Sequence, residues 1–406
     1  MRIVLASVGT RGDIAPFVAL GIGLARAGHE VTATSWDLWR DAFAGAVPFT
    51  PAGPDTTDAD IAETARRAAS ARSPLDQVAI LRDFHLRDAA AHARQLREII
   101  GGAEVAVIHG IHTLAQAAAV DAGVPYATAV FDPVLLPTAT APPPGMPSLG
   151  PLNRGLWWML DRMLRRLDAP LHAALARAGM PAPDLRLFRG RSKLLHLVAC
   201  SPTIIDVPRD LPSTTAVIGA WVDPRPPGAP PREVEAFLSA GETPILVTFG
   251  SMASDAAAAH ARAVEEALAV TGQRAIVQGL PVTASRAVCR SGAFDHRSVL
   301  QRVALAVHHG GAGTVHAVTA AGVPSIVVPH VGDQRYWGSR LAQLGAAASP
   351  VGPEELTAAA LVDRITTAQR PQVREAAERL RDAMALEDGV AGAVARIGAT
   401  FASSPG

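Results

Sequence analysis

The chain has 406 residues, 37 basic and 37 acidic side chains and an apolar share of 49%. That length favours two domains, the apolar fraction is ample for large cores, and zero formal charge argues against a nucleic-acid-binding surface. Two cysteines, Cys200 and Cys289, stand far apart without metal-ligand spacing, which reads as a reduced, cytoplasmic protein.

The first residues, MRIVLASVGTRGD, turn polar too early for a signal peptide and read as a buried strand over 2–8. A helix is expected from Pro16 to Ala27, with proline in its first turn and Gly28 as its stop, before EVTATS resumes strand character. This β–loop–α–β opening predicts a doubly wound sheet. Another strand ends in VIHGIHT, carrying His109 and His112. Residues 132–151 are proline-rich and irregular, and residues 153–181 form an amphipathic helical stretch with Trp, Met, Leu and Arg. That stretch reads first as a packed surface helix, with an acceptor channel or membrane-surface contact as the alternative. A Pro-rich linker is placed at 206–232. The opening pattern then returns, with PILVTF a strand, a helix over 255–270, Gly272 its stop and RAIVQ a strand. VALAVHH (303–309) is a further strand, GGAG a turn and TVHAVTAAG a helix with Thr314 as its cap. No uninterrupted apolar run reaches 18 residues, so no membrane-spanning helix is expected.

Two constellations carry chemistry. Glycines between a strand and a helix let backbone N–H groups approach a phosphate, and a histidine at the strand end can donate to it. A purely structural turn and a metal site are the alternatives, though adjacent strand histidines point to opposite faces and zinc needs more ligands. After AGVPSIVVP, Asp333 and Gln334 fall in a loop at the ligand-bearing edge of a parallel sheet. An acid and an amide suit sugar hydroxyls, and a solvated turn is the plain alternative.

Together GTRGDIAPFVALGIGLARAGHEV (9–31), FGSM (249–252) and HHGGAGT…GVPSIVVPHVGDQRYWG (308–338) resemble the signatures of the GT-B nucleotide-sugar-dependent glycosyltransferases, which include antibiotic, sterol and plant natural-product enzymes. The resemblance covers nearly the whole chain and is nearest to the glycopeptide-antibiotic and sterol branches. It implies two Rossmann-like domains facing across a cleft. An acceptor domain would occupy 1–205, a donor domain 233–385, and residues 386–406 would return to the first. It implies an inverting, metal-independent transferase that moves a sugar from a UDP- or dTDP-sugar to a hydroxyl of a small apolar acceptor, with no cofactor beyond that co-substrate. Carried over by position, His309, Gly311, Gly313, Thr314 and Ser251 would hold the diphosphate. Asp333 and Gln334 would hold the sugar, and Thr10 and Gly12 would line the acceptor-domain side. Asp13 would be the general base, with an ion pair to Arg11 as its structural alternative. His109 and His112 are alternative bases or acceptor contacts. The segment SGAFDHRSVL (291–300) lacks the family's aromatic or Trp-x-Pro nucleobase pattern, which leaves Phe294 or His296 as substitutes and the choice of uracil or thymine open. Three rivals remain: a transferase acting on a membrane lipid or sterol, a non-catalytic nucleotide-sugar-binding auxiliary, and a sugar-nucleotide epimerase.

Overall fold

The structure is a computed structural model that describes all residues except 72, 135, 144–145, 183–190, 250–255 and 403–406. It divides into two compact units. One comprises Met1–Thr64, Ala71–Pro224 and Asp388–Gly406; the other comprises Ala65–Ser70 and Arg225–Glu387.

The first unit contains, in chain order, β1 (Arg2–Ala6), α1 (Arg11–Arg26), β2 (Glu30–Ser35), α2 (Arg40–Phe43), β3 (Phe49–Pro51), α3 (Asp58–Ala69), α4 (Pro74–His85) and α5 (Ala89–Ile100). There follow β4 (Val105–His109), α6 (Thr113–Asp121), β5 (Tyr126–Val130), α7 (Asn153–Arg165), α8 (Ala169–Ala178), β6 (Leu195–Val198) and β7 (Thr215–Val217). Its seven strands are parallel in the order β3-β2-β1-β4-β5-β6-β7. All of β4 and all but the first residue of β1 are buried, as expected of central strands covered by helices on both faces. Val4, Ala6, Ala106 and Ile108 pack with Ala93, Leu96 and Ile100 of α5 and Leu114 and Ala118 of α6.

The second unit contains α9 (Arg232–Ser239), β8 (Ile245–Thr248), α10 (Ala257–Thr271), β9 (Ala275–Gln278), β10 (Val288–Ser291), β11 (Ala306–His308), α11 (Ala312–Ala320), β12 (Ser325–Val327), α12 (Gln334–Gln343), α13 (Ala358–Ala368) and α14 (Pro371–Met384). Its five strands are parallel in the order β10-β9-β8-β11-β12. The last helix, α15 (Gly389–Phe401), belongs to the first unit and packs on α1.

Several boundaries differ from the sequence expectation. Helix α1 starts at Arg11, not Pro16, because Thr10 and Asp13 close its first turn, so Pro16 lies inside the helix. The amphipathic stretch is two helices, with Pro170 in the first turn of the second. Residues Thr215–Val217, inside the expected linker, pair with β6 as the seventh strand. The helix after the glycine motif is capped by Gly311, which places Thr314 in its first turn and not at the cap.

Candidate active site

In a doubly wound parallel sheet, ligands bind where the strand order reverses, outside the carboxyl ends of the two strands that flank the reversal. In the first unit these strands are β1 and β4. The segment after β1 leads to Asp13, and β4 ends in His109. Asp13 Oδ2 accepts the Thr10 backbone N–H at 2.7 Å and its hydroxyl at 2.9 Å. Asp13 Oδ1 faces His109 Nε2 at 3.8 Å. His109 Nδ1 lies 3.0 Å from the Val8 carbonyl, which can only accept, so Nδ1 carries a proton and donates to it, and the ring is held with Nε2 toward Asp13. Gly9 makes this arrangement feasible. Its φ is +125°, and a Cβ there would run into the Asp13 carboxylate.

Thr10 and Gly12 are exposed in and before the first turn of α1, beside Asp13. No ion pair joins Asp13 to Arg11 among the described residues; Thr10 and His109 are the neighbours of that carboxylate. His112 is buried at the start of α6, with its ring 5.3 Å from that of His92. Burial holds its pKa well below the usual histidine range.

In the second unit the order reverses between β8 and β11. The segment after β8 holds Ser251, which lies outside the described residues together with the rest of 250–255. The segment after β11 holds His309, Gly310 and Gly311, followed at once by α11. The amides of Ala312, Gly313 and Thr314 begin that helix and have no intrahelical acceptor. The two histidines divide as adjacent strand-end positions should. His308 is fully buried; its Nδ1 accepts the Gly310 N–H at 3.2 Å, so its Nε2–H donates to Ser325 Oγ at 3.2 Å. His309 is half-buried, and its buried Nδ1 finds no protein partner at hydrogen-bond geometry. Burial lowers its pKa to about 4; His330 and His296 add to the shift, and the Thr248 backbone beside the ring opposes it. His309 is therefore neutral near pH 7 and offers one N–H donor and one lone pair. Gly310 has φ +88°, and a Cβ there would lie 2.7 Å from Val327 and 3.0 Å from the Gln334 carbonyl oxygen.

Asp333 caps α12 and Gln334 is its first residue. Asp333 Oδ2 accepts the indole N–H of Trp337 at 2.6 Å, and Trp337 packs edge-on against His316 of α11 at 5.1 Å. Gln334 Oε1 accepts the N–H groups of His330 and Val331 at 2.7 and 3.1 Å, which closes the loop after β12. Phe294 packs partly buried on the core formed by Val234, Leu246, Ile276 and Val299. It is no free platform for a base, because that apolar cluster and the edge-on His296 ring occupy it. His296 Nε2 meets Gln278 Oε1 at 2.5 Å, and Thr248 donates to the same oxygen at 3.0 Å.

Three titratable residues escaped the sequence reading, two of them, Asp132 and His85, in the electrostatic neighbourhood of Asp13. Asp132 follows β5 inside the proline-rich stretch; burial pushes its carboxyl pKa up, opposed by the Val134 amide and His109 and reinforced by Asp13. His85 stacks on Trp36 at 5.7 Å, and burial lowers its pKa to about 4 while Asp13 pulls it back up. His92 is buried with both ring nitrogens unpartnered, and its pKa is lowered by burial to about 4. The only sequence signal for them was residue type, since each sits in a segment with no motif.

Residues 274–397 match the family described as Erythromycin biosynthesis protein CIII-like, C-terminal domain. Glycosyltransferase GtfE of Amycolatopsis orientalis is 32% identical over 97% of this chain and 96% of its own. O-mycaminosyltylonolide 6-deoxyallosyltransferase of Streptomyces fradiae is 31% identical over 96% and 95%. Among solved structures, the glycotransferase of kitacinnamycin superposes with a TM-score of 0.75 over 98% of this chain and 99% of its own, at 19% identity. The paired parallel sheets, the two switch-point sites and these end-to-end likenesses assign the chain to the nucleotide-sugar-dependent glycosyltransferases of antibiotic biosynthesis, with the GT-B fold.

Proposed function

We propose that the protein is an inverting glycosyltransferase that moves a sugar from a UDP- or dTDP-sugar to a hydroxyl of a small, apolar natural-product acceptor. The observation that carries this reading is the Asp13 carboxylate at the first unit's switch point, 3.8 Å from His109 Nε2. The Asp13 side chain is 28% exposed and that of His109 only 5%, so an entering hydroxyl meets the carboxylate first. Asp13 takes the acceptor proton as the oxygen attacks the anomeric carbon. The bond from that carbon to the diphosphate breaks, and the diphosphate leaves with the electron pair. Attack opposite the leaving group turns an α-linked donor into a β-glycoside. Thr10 orients Asp13 through two hydrogen bonds, and His109, held by its Nδ1–H to Val8, stands beside the carboxylate with Nε2 3.8 Å from Oδ1.

Charge on the departing diphosphate is taken up by the N–H groups opening α11 and by the neutral His309 N–H. No metal is needed in this reading. Asp333 and Gln334 hold the sugar, the first from the cap of α12 and the second through its amide. The test is a product screen by mass spectrometry, pairing UDP- and dTDP-sugars with apolar alcohols and phenols. A new glycoside from the wild type, with its anomeric proton in the β configuration by NMR, is expected. Donor turnover without any acceptor, or conversion of the donor sugar itself, would overturn the reading in favour of hydrolysis or epimerisation.

A further inference from the structure

Helix α7 presents two unlike faces. Asn153, Trp157 and Asp161 are buried and tied down: Asn153 bonds Ala139 and Leu149, Trp157 donates to the Ala141 carbonyl at 2.8 Å, and Asp161 pairs with Arg165. The opposite face carries large apolar side chains in the open. Leu152 is 69% exposed, Trp158 60% and Met159 47%. On a helical wheel Leu152, Met159, Arg162 and Arg166 form one stripe, with Trp158 at its flank and the Arg162 guanidinium 5.3 Å from the Trp158 ring centroid.

Charge decides what such a face fits. From Asn153 to Gly179 the chain has five arginines, Arg154, Arg162, Arg165, Arg166 and Arg177, and two acids, Asp161 and Asp168. Both acids are buried, Arg165 is paired with Asp161 and Arg154 with Asp210, which leaves Arg162, Arg166 and Arg177 as excess positive charge beside the exposed apolar side chains among the described residues. A protein partner with an ordinary mixed rim matches this excess positive charge only in part, whereas a surface of anionic headgroups over hydrocarbon satisfies both components. Tryptophan suits the headgroup level, and arginine can keep its charge among phosphates while its stem lies on apolar ground.

We infer that the exposed face of α7 docks on an anionic lipid bilayer. The inference does not rest on the transfer reaction, because binding is read without substrate. It concerns where the protein sits, whatever acceptor it uses.

The test is sedimentation of the full chain with vesicles of phosphatidylcholine alone and of phosphatidylcholine mixed with phosphatidylglycerol. Binding to the mixed vesicles that weakens with added salt is expected, with little binding to phosphatidylcholine alone. The variants Trp158→Ser with Met159→Ser, and Arg162→Gln with Arg166→Gln, should each lower the bound fraction by about tenfold, since stable attachment needs both apolar and charged contributions. Both should keep the wild-type melting temperature and nucleotide affinity, which separates lost docking from lost folding. No sedimentation of the wild type with the mixed vesicles, or sedimentation of both variants at the wild-type level, would overturn the inference. So would a wild-type dimer by light scattering that the Trp158 variant abolishes in the absence of vesicle binding, which would assign the face to a second copy of this chain.

Discussion

Asp13 carries two duties that its substitution separates. It accepts two hydrogen bonds from Thr10 at the start of α1 and faces His109 at the switch point. Asp13→Asn keeps the shape and most of the capping geometry but removes the proton acceptor. Turnover on an alkyl alcohol should fall by roughly 10²–10⁴-fold, the usual reach of general base catalysis. A phenol, whose proton leaves more readily, should lose less. Donor affinity should hold, and steady-state kinetics with both acceptors checks all three. Near-normal turnover together with a lower melting temperature would reduce Asp13 to a helix cap. His309 makes the complementary prediction in the second unit. Its Nδ1 is buried and unpartnered at the edge where α11 begins, and a hydrogen bond to an anionic phosphate is worth about 1.5–3 kcal/mol. Titration calorimetry of His309→Ala with UDP and dTDP should show affinity falling by roughly 10- to 100-fold for whichever nucleotide the wild type binds. Unchanged affinity for both would remove His309 from the site.

At the scale of elements, α12 depends on α11. Trp337 is fully buried, leans edge-on against His316 and donates to Asp333. The carboxylate assigned to the sugar is thus oriented through an indole that rests on the helix assigned to the diphosphate. Trp337→Phe keeps much of the packing and deletes the donor. It should weaken an intact nucleotide sugar several-fold, in line with one lost hydrogen bond of about 1 kcal/mol, and leave the free nucleotide diphosphate nearly unchanged. Equal losses for both ligands would mean that Trp337 merely supports the fold of the unit. Asp333→Ala should show the same asymmetry more strongly, because it removes the proposed sugar contact itself. The glycine motif was legible beforehand as a strand-to-helix turn, because glycine content and the change of hydrophobic period are local signals. This dependence of α12 on α11 was not, since His316 and Trp337 are ordinary residues until the two helices pack.

Across the whole molecule, buried neutral histidines set the response to acid. Burial depresses His85, His92 and His309 to about 4, and His196 and His308 to about 3. An unfolded histidine binds its proton from about pH 6.5 downward, while these remain neutral in the folded chain. Stability is therefore full above that pH and is lost as pH falls toward the folded values. Near pH 5 a histidine held at about 4 forfeits about 2 kcal/mol, so several together rival the usual stability of a domain, about 5–15 kcal/mol. Denaturant midpoints should drop steeply between about pH 6.5 and pH 4.5. A flat profile over that window would show that the histidines are hydrated. Overnight dialysis against EDTA should leave turnover unchanged, because the proposed reaction gives the diphosphate charge to α11 and His309. Loss of activity that magnesium restores would contradict that assignment.

Much of this was decided locally along the chain. Alternation of apolar runs with helical periods marked two doubly wound halves, glycines marked the turns after β1 and β11, and the resemblance of the motifs proposed roles for Asp13, His309, Asp333 and Gln334. Strand order was not local. All central strands of a buried parallel sheet read as the same apolar run, so nothing in VIHGIHT says that β4 lies beside β1. That adjacency, set by how the helices cover the two faces, brings His109 to Asp13 and Asp132 into the same electrostatic neighbourhood. Arg11 is no partner of Asp13 for a local reason, since the first turn of α1 directs the carboxylate back to Thr10. Sequence spacing fixes what a turn can do; which turns meet is decided by packing between segments a hundred residues apart.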